Sequence, residues 1–460
     1  MKNFLYLLVL LLLIFLTPDR FEHFNANYIF LISILYLISV VYFLYQQSKH
    51  TSNWLRFDVM FLIGYTIVHF QIPFLASLGM EPERPSFIWL NKAVVNFATW
   101  MSVVAIVLWM LGFSLYKYPK QKSIAQTTSA TVSVNLWIYD GLLFLSFVVF
   151  LFLVGPVFLS GAYNTNVWGE GANYIFLLLR VLLYLRIFYF IQKLPSNTRI
   201  KDVIKSFSAN KIFFIVLFLY TLLFLRTGDR GPVMQVALIF LGAYAIYVKP
   251  IPVRNLILYT LLGAFVFTII RYGRGRDASA FDEGNIITRG YSSFQDQEEV
   301  NITNELASSV RIQYRALDVV PNSHPYLYGL TFATVGIGIF PFAGSATLDL
   351  FNIPRIYAGS ANFFTYLGQG RFVSYGEGSE ILADIYINFG LYGTFLIMLL
   401  FGCWSGKVYN RTILQDPIYV LITLILLASA LSMNRGMLFT PLKDIVYILF
   451  LNYLFLKVIK

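Results

Sequence analysis

The chain has 460 residues, of which 58% are hydrophobic, 18% aromatic and only 12% charged, with a mean hydropathy of +0.68. That composition excludes a string of water-soluble domains. The formal charge of +11 lies mostly in short loops between apolar runs, where the positive-inside bias and anionic lipid account for it without nucleic acid as a partner.

A membrane-crossing helix needs roughly 17 to 25 mostly apolar residues. In chain order the candidates are 4–16, 27–45, 57–78, 93–115, 136–158, 173–191, 212–225, 232–248, 255–270, 381–404, 417–433 and 442–456. The first follows Lys2 like a signal peptide, but no small-residue cleavage site precedes Thr17-Pro18-Asp19, so a retained span is expected. The pattern predicts an all-α polytopic membrane protein with about twelve transmembrane helices. Residues 1–270 form a bundle of about nine spans, 271–379 a large extracytoplasmic loop, and 380–460 the C-terminal spans. The single cysteine, Cys403, falls inside an apolar run and excludes an internal disulfide.

Loop charge orients the chain. With the N-terminus cytoplasmic, the inner loops carry Lys49 and Arg56; Lys117, Lys120 and Lys122; Lys193, Arg199, Lys201 and Lys205; Lys249 and Arg254; Lys407 and Arg411. Both Lys457 and Lys460 then also lie inside. The alternate loops read Asp19-Arg20-Glu22, Glu81-Glu83-Arg84 and Glu170, acidic or balanced. Residues 328–342 are apolar but short and broken by Gly336, Gly338 and Pro341, which suits a re-entrant or interfacial piece. Residues 297–319 show helical periodicity: Leu306, Val310, Tyr314 and Leu317 form a stripe, while Arg311 and Arg315 share another face. Two readings stand, an amphipathic helix lying on the bilayer and a lid that turns both arginines toward a polyanion.

The outer loop is where chemistry is sought, because arginine is disfavoured on that side and yet recurs there. Guanidinium matches phosphate bidentately, so an anionic ligand is implied. Three constellations stand out. The first is Arg226-Thr227-Gly228-Asp229-Arg230-Gly231-Pro232, a tight hairpin between spans that offers either a local ion pair or a fixed guanidinium cluster at the membrane surface. The second, Arg271-Tyr272-Gly273-Arg274-Gly275-Arg276, pairs exposed backbone N–H groups with three cations, as a phosphate nest does. The third runs from Gly376 to Gly390. Ser379 is expected to cap the next span, with Glu380 in its first turn and Asp384 one turn deeper, buried in the bundle. An acid inside a span is functional by default, so Asp384 leads the general-base candidates, with Glu380 and His324 beside it.

Arg435 sits in the last outer turn and can join the cluster. Arg180, deep in a span, must find an interior acceptor, whereas Arg186 lies near enough to the cytoplasmic end to snorkel. No Walker A loop and no His/Cys metal cluster occur in the sequence, so neither a metal nor another cofactor is expected. Glu81 and Glu83 read as an acidic turn in preference to a cation site.

The 226–232 hairpin, the GEGSEILADIYINFGLYG stretch at 376–393 and the Asn434-Arg435-Gly436 turn, set among many spans with one large late loop, resemble the Wzy class of O-antigen (oligosaccharide repeat-unit) polymerases. The resemblance implies a GT-C-like membrane fold and transfer of a growing glycan from undecaprenyl diphosphate to the next lipid-linked repeat unit, on the outer face of the bacterial inner membrane. It carries an anion-binding role to Arg226, Arg230 and Arg435. Undecaprenyl-diphosphate-linked oligosaccharides and membrane lipid are the implied partners, with a chain-length regulator and a flippase as further candidates. An O-antigen ligase-like enzyme and a transporter of lipid-linked sugars are the competing functions.

Overall fold

The computed structural model describes residues 3–116, 136–160, 168–169, 171–199, 202–203, 210–273, 286–295 and 303–457, and among them every regular element is helical. In order these are α1 (Phe4–Phe15), α2 (Ala26–Ser48), α3 (Phe57–His69), α4 (Gln71–Ser77), α5 (Pro85–Ile88), α6 (Val95–Ser114), α7 (Leu136–Ser160), α8 (Ala172–Gln192), α9 (Lys211–Thr227), α10 (Arg230–Tyr247) and α11 (Val253–Tyr272). There follow α12 (Ile286–Gln295), α13 (Asn304–Ala307), α14 (Val310–Val319), α15 (Leu330–Ile337), α16 (Ala343–Leu350), α17 (Ser360–Gln369), α18 (Ile381–Ile413), α19 (Pro417–Met433) and α20 (Leu442–Lys457).

Seven helices are long and apolar enough to cross a membrane, and the pair α3–α4, bent by 49° at Phe70, makes an eighth span if taken together. The remaining expected spans coincide with α1, α9, α19 and α20, which have 12, 17, 17 and 16 residues. The protein is therefore an all-helical polytopic membrane protein.

At the centre, α6 packs along α18 through small residues. A Cβ added at Gly402 would lie 2.1 Å from the Trp109 carbonyl oxygen, one at Gly406 2.5 Å from that of Phe113, and one at Gly112 2.4 Å from that of Leu399. Backbones can approach this closely only where side chains vanish, the device membrane helices use in place of hydrophobic driving force. α18 is broken at Gly390, whose φ of +68° an L side chain rarely adopts. Just before that break, the Ile387 carbonyl accepts the Leu327 N–H at 2.8 Å, tying the loop ahead of α15 to the span.

Loop contacts sort onto two faces. On one, Glu22 N–H meets the Ala93 carbonyl, Asn91 donates to Asp318 at 2.7 Å, and Arg20 donates to the Leu317 and Val320 carbonyls. On the other, Trp54 N–H meets the Ile251 carbonyl at 2.8 Å, Asn197 N–H that of Val248, and Gln415 that of Ile246. Arg411, four residues before Gln415, thus shares the face of Lys249.

Two sequence expectations need correction. Residues 297–302 lie outside the described residues, and the rest of that segment is two helices parted at Ser308-Ser309, where the Ser308 hydroxyl bonds the Glu305 carbonyl at 3.0 Å. The stripe Val310, Tyr314 and Leu317 is fully buried against protein, so α14 does not lie on the bilayer. Arg186 does not snorkel either. It is buried, with Asp140 at 2.6 Å and Asn210 at 2.8 Å, because a guanidinium with two acceptors is tolerated inside where an unpaired one is not. Arg180 finds its acceptor in Asp444 at 2.5 Å.

Candidate active site

Five of the candidate arginines are gathered by two carboxylates that the sequence did not single out. Glu305, on the single-turn helix α13, receives Arg230 at 2.8 Å, Arg435 at 2.9 Å and Arg271 at 3.8 Å. These come from three elements far apart in the chain: the first residue of α10, the turn after α19, and the end of α11. Gly228, left-handed at φ +75°, closes the turn between α9 and α10, and Asp229 caps α10 by accepting the Gly231 N–H at 3.2 Å. Arg230 is thereby aimed away from its sequence neighbour and onto Glu305, and its Nη1 also donates to the Phe267 carbonyl. All members of the cluster are partly exposed. Among the described residues, three guanidiniums contact this one carboxylate.

Burial pushes the Glu305 carboxyl up, but Arg435 and Arg230 outweigh it and bring the group down from 4.5 to about 2. A carboxylate whose folded value is depressed adds stability above its unfolded value and loses it as pH falls through the folded one. The melting-temperature difference between the native protein and Glu305→Gln in detergent is therefore expected to stay constant above pH 4.5 and to shrink toward pH 2. A difference undiminished at the acid end would mean that charge does not hold the cluster.

A second carboxylate, Glu377, takes Arg311 in a direct hydrogen bond and Arg315 at 3.7 Å. This group is buried: Arg311 stacks over Phe87 at 4.2 Å, and a Cβ at Gly368 would collide with the Arg315 guanidinium. The i, i+4 spacing did bring both arginines to one partner, but that partner is internal. Arg226 is exposed and makes no ion pair among the described residues. Arg274 and Arg276 lie outside the described residues.

The acids of the 376–390 stretch are enclosed. Glu380, not Ser379, is the N-cap of α18: its carboxylate accepts the Leu382 and Ala383 N–H groups at 2.7 and 2.8 Å, and His69 Nε2 stands 3.2 Å away. Ser379 instead bonds Ser360 at 2.8 Å. A glutamate reaches two N–H groups where a serine reaches one, which explains the exchange. Asp384, 2% exposed, accepts the Leu438 N–H at 2.9 Å. Asn388 donates to the Asp384 carbonyl and to Thr331. Asp384 thus holds the turn that carries Arg435 three residues earlier. The three sequence stretches at 226–232, 376–390 and 434–436 meet through these bonds.

His324 is half-exposed on a separate loop, with Nε2 3.2 Å from the Tyr357 hydroxyl and its ring edge-on to Phe363. The Tyr357 carbonyl accepts from Thr334, which lines a half-open cavity of about 520 Å³. Met437, Phe439 and Thr440, just beyond Arg435, line the same cavity. Its volume suits a small-molecule pocket. Glu81 is taken by Lys92 and Trp89, and no group of three or more possible metal ligands occurs among the described residues.

Glu305 and Glu377 were missed because their partners lie tens to hundreds of residues away. The recurrence of arginine through residues 226–315 was the one available signal that carboxylates must answer them.

Helices of membrane-crossing length define a polytopic membrane protein, with Arg230, Arg271 and Arg435 gathered on Glu305 near helix ends. The family model for O-antigen polysaccharide polymerase Wzy matches residues 1–460, the whole chain, and the protein belongs to that family. It is accordingly a multi-pass inner-membrane polymerase of glycosyltransferase type, acting in polysaccharide biosynthesis. No curated protein and no solved structure matches the chain.

Proposed function

We propose that this protein transfers a growing glycan from undecaprenyl diphosphate to the sugar end of the next lipid-linked repeat unit, on the extracytoplasmic face. The observation that carries the reading is the convergence, at the end of apolar helices, of Arg230, Arg271 and Arg435 on Glu305, three cations to one carboxylate among the described residues. In the transfer an acceptor hydroxyl oxygen bonds to the anomeric carbon. The bond from that carbon to the diphosphate oxygen breaks, and its electrons leave with the diphosphate. Preorganised guanidiniums stabilise that departing charge.

The proton goes to a base. Of the three candidates, His324 alone is partly exposed, and it hydrogen-bonds Tyr357 beside the cavity, so it is our choice. Glu380 and Asp384 act by holding the start of α18 and the Arg435 turn. The cavity, walled by Thr334 on the side of Tyr357 and by Met437 just beyond Arg435, receives the reacting sugars. The face bearing the cluster is placed outside because Lys49, Arg56, Lys193, Lys249, Lys407 and Arg411 belong to the opposite loops. A chain-length regulator and a flippase are the proposed partners in the membrane.

The test is turnover by purified protein in detergent, given undecaprenyl-diphosphate-linked repeat units without nucleotide sugar, ATP or added metal. A ladder of lengthening glycans is expected. Intact substrate beside folded protein would overturn the proposal and direct attention to a ligase acceptor.

A further inference from the structure

The helix pair α15–α16 presents large apolar side chains to the outside. Phe340, Phe342, Leu350 and Phe351 are 67, 70, 76 and 67% exposed. Scattered apolar residues on a surface need no explanation, but four on one short hairpin mark an interaction site.

The depth of the hairpin identifies the partner. The Tyr447 hydroxyl donates to the Ile339 carbonyl at 3.0 Å, and Tyr447 is the sixth residue of α20, about 7.5 Å along its axis from the first. The Phe342 ring packs on Tyr174 at 5.0 Å, and its N–H donates to the Tyr174 hydroxyl. Tyr174 lies in the first turn of α8, a helix long and apolar enough to cross the membrane. The hairpin tip is therefore fastened beside the upper turns of two membrane helices, not above them. Nearby, Lys443 and Arg355 line the cavity that the inner face of the hairpin walls; Arg355 pairs with Asp349 of α16 at 3.2 Å, and Lys443 makes no ion pair among the described residues. Cations beside an aromatic wedge suit the band where headgroup phosphates meet acyl chains.

We propose that α15–α16 is a half-inserted membrane element, with Phe340, Phe342, Leu350 and Phe351 among the upper acyl chains of the bilayer leaflet. It crosses nothing: each helix has eight residues. The inference rests on the membrane helices and not on the catalytic reading, so each can fail alone.

The test places an environment-sensitive fluorophore at Phe340→Cys or Phe351→Cys in a Cys403→Ala background, in phosphatidylcholine nanodiscs. Ser323→Cys, on the exposed 321–323 turn, serves as the aqueous control. Blue-shifted emission at both hairpin sites, quenching by lipids bearing a nitroxide on a shallow acyl carbon, and iodide quenching several-fold weaker than at the control are expected. Iodide quenching equal to the control, with no quenching by the lipid nitroxide, would overturn the proposal. The two sites lie in different parts of the hairpin. A melting temperature matching the Cys403→Ala parent certifies the fold of each, and a Leu350→Cys variant replaces either one that fails.

Discussion

Arg435→Ala and Arg230→Ala are each expected to lower glycan turnover by about 10²–10³-fold, the usual loss when one preorganised donor to a developing negative charge is removed. Both contact Glu305 within 2.9 Å, one from the middle of the chain and one from near its C-terminus. Arg271, at 3.8 Å, is held less closely, and Arg271→Ala should cost less. Arg226 is exposed and outside the cluster, so Arg226→Ala should cost least of the four. Lysine at 230 or 435 restores only part of the rate, since an ammonium lacks the planar fork that meets two oxygens at once. Initial rates of ladder formation on purified variants, normalised to monodisperse protein, give the ranking. Full activity in both Arg230→Ala and Arg435→Ala would remove the cluster from the mechanism. A ranking led by Arg226 would move the anion site to the α9 end of the hairpin.

The fold was largely legible because hydropathy reports a one-dimensional constraint. Lipid demands helices of a set length, and each of the twelve expected stretches overlaps a helix or, at 57–78, a bent pair. The bend at Phe70 does have a local signal, Pro73, which lacks an N–H and crowds the carbonyl of residue 69, although the hydropathy pattern alone reads straight through it. Periodicity found the i, i+4 pair Arg311 and Arg315 but not the element they face, so a helix buried under Glu377 read either as lying on lipid or as a lid over a polyanion. Arg186 failed for a related reason: the distance from a span's end is visible in sequence, whereas Asp140 on a neighbouring helix is not. In the candidate site, residue types named Arg230, Arg271 and Arg435, which meet at Glu305, together with Arg311 and Arg315, which meet Glu377 instead, and Arg226, which joins neither. Which carboxylate each one meets is a tertiary property, and Glu305 entered no local pattern.

The larger revision concerns Asp384. Its position in a span marked it as a base, yet its oxygen is occupied by the Leu438 N–H and its surface is almost wholly enclosed. A carboxylate so placed cannot reach an acceptor hydroxyl without releasing the turn that carries Arg435. The chemistry of the side chain then separates the two roles. Asparagine keeps an oxygen that accepts the Leu438 N–H, while alanine leaves that buried donor unsatisfied, at a cost of about 1–3 kcal/mol. If Asp384 positions Arg435, Asp384→Ala should lose most turnover and bind diphosphate more weakly, while Asp384→Asn keeps a substantial fraction of both. If it is the base, the two variants should be equally inactive, with diphosphate binding intact in Asp384→Asn. Rates together with pyrophosphate affinity for the native protein and both variants decide the matter. His324→Ala completes the comparison: with His324 as the base, it should abolish turnover while leaving pyrophosphate affinity unchanged, because its imidazole contacts Tyr357 and Phe363 and none of the arginines that surround Glu305.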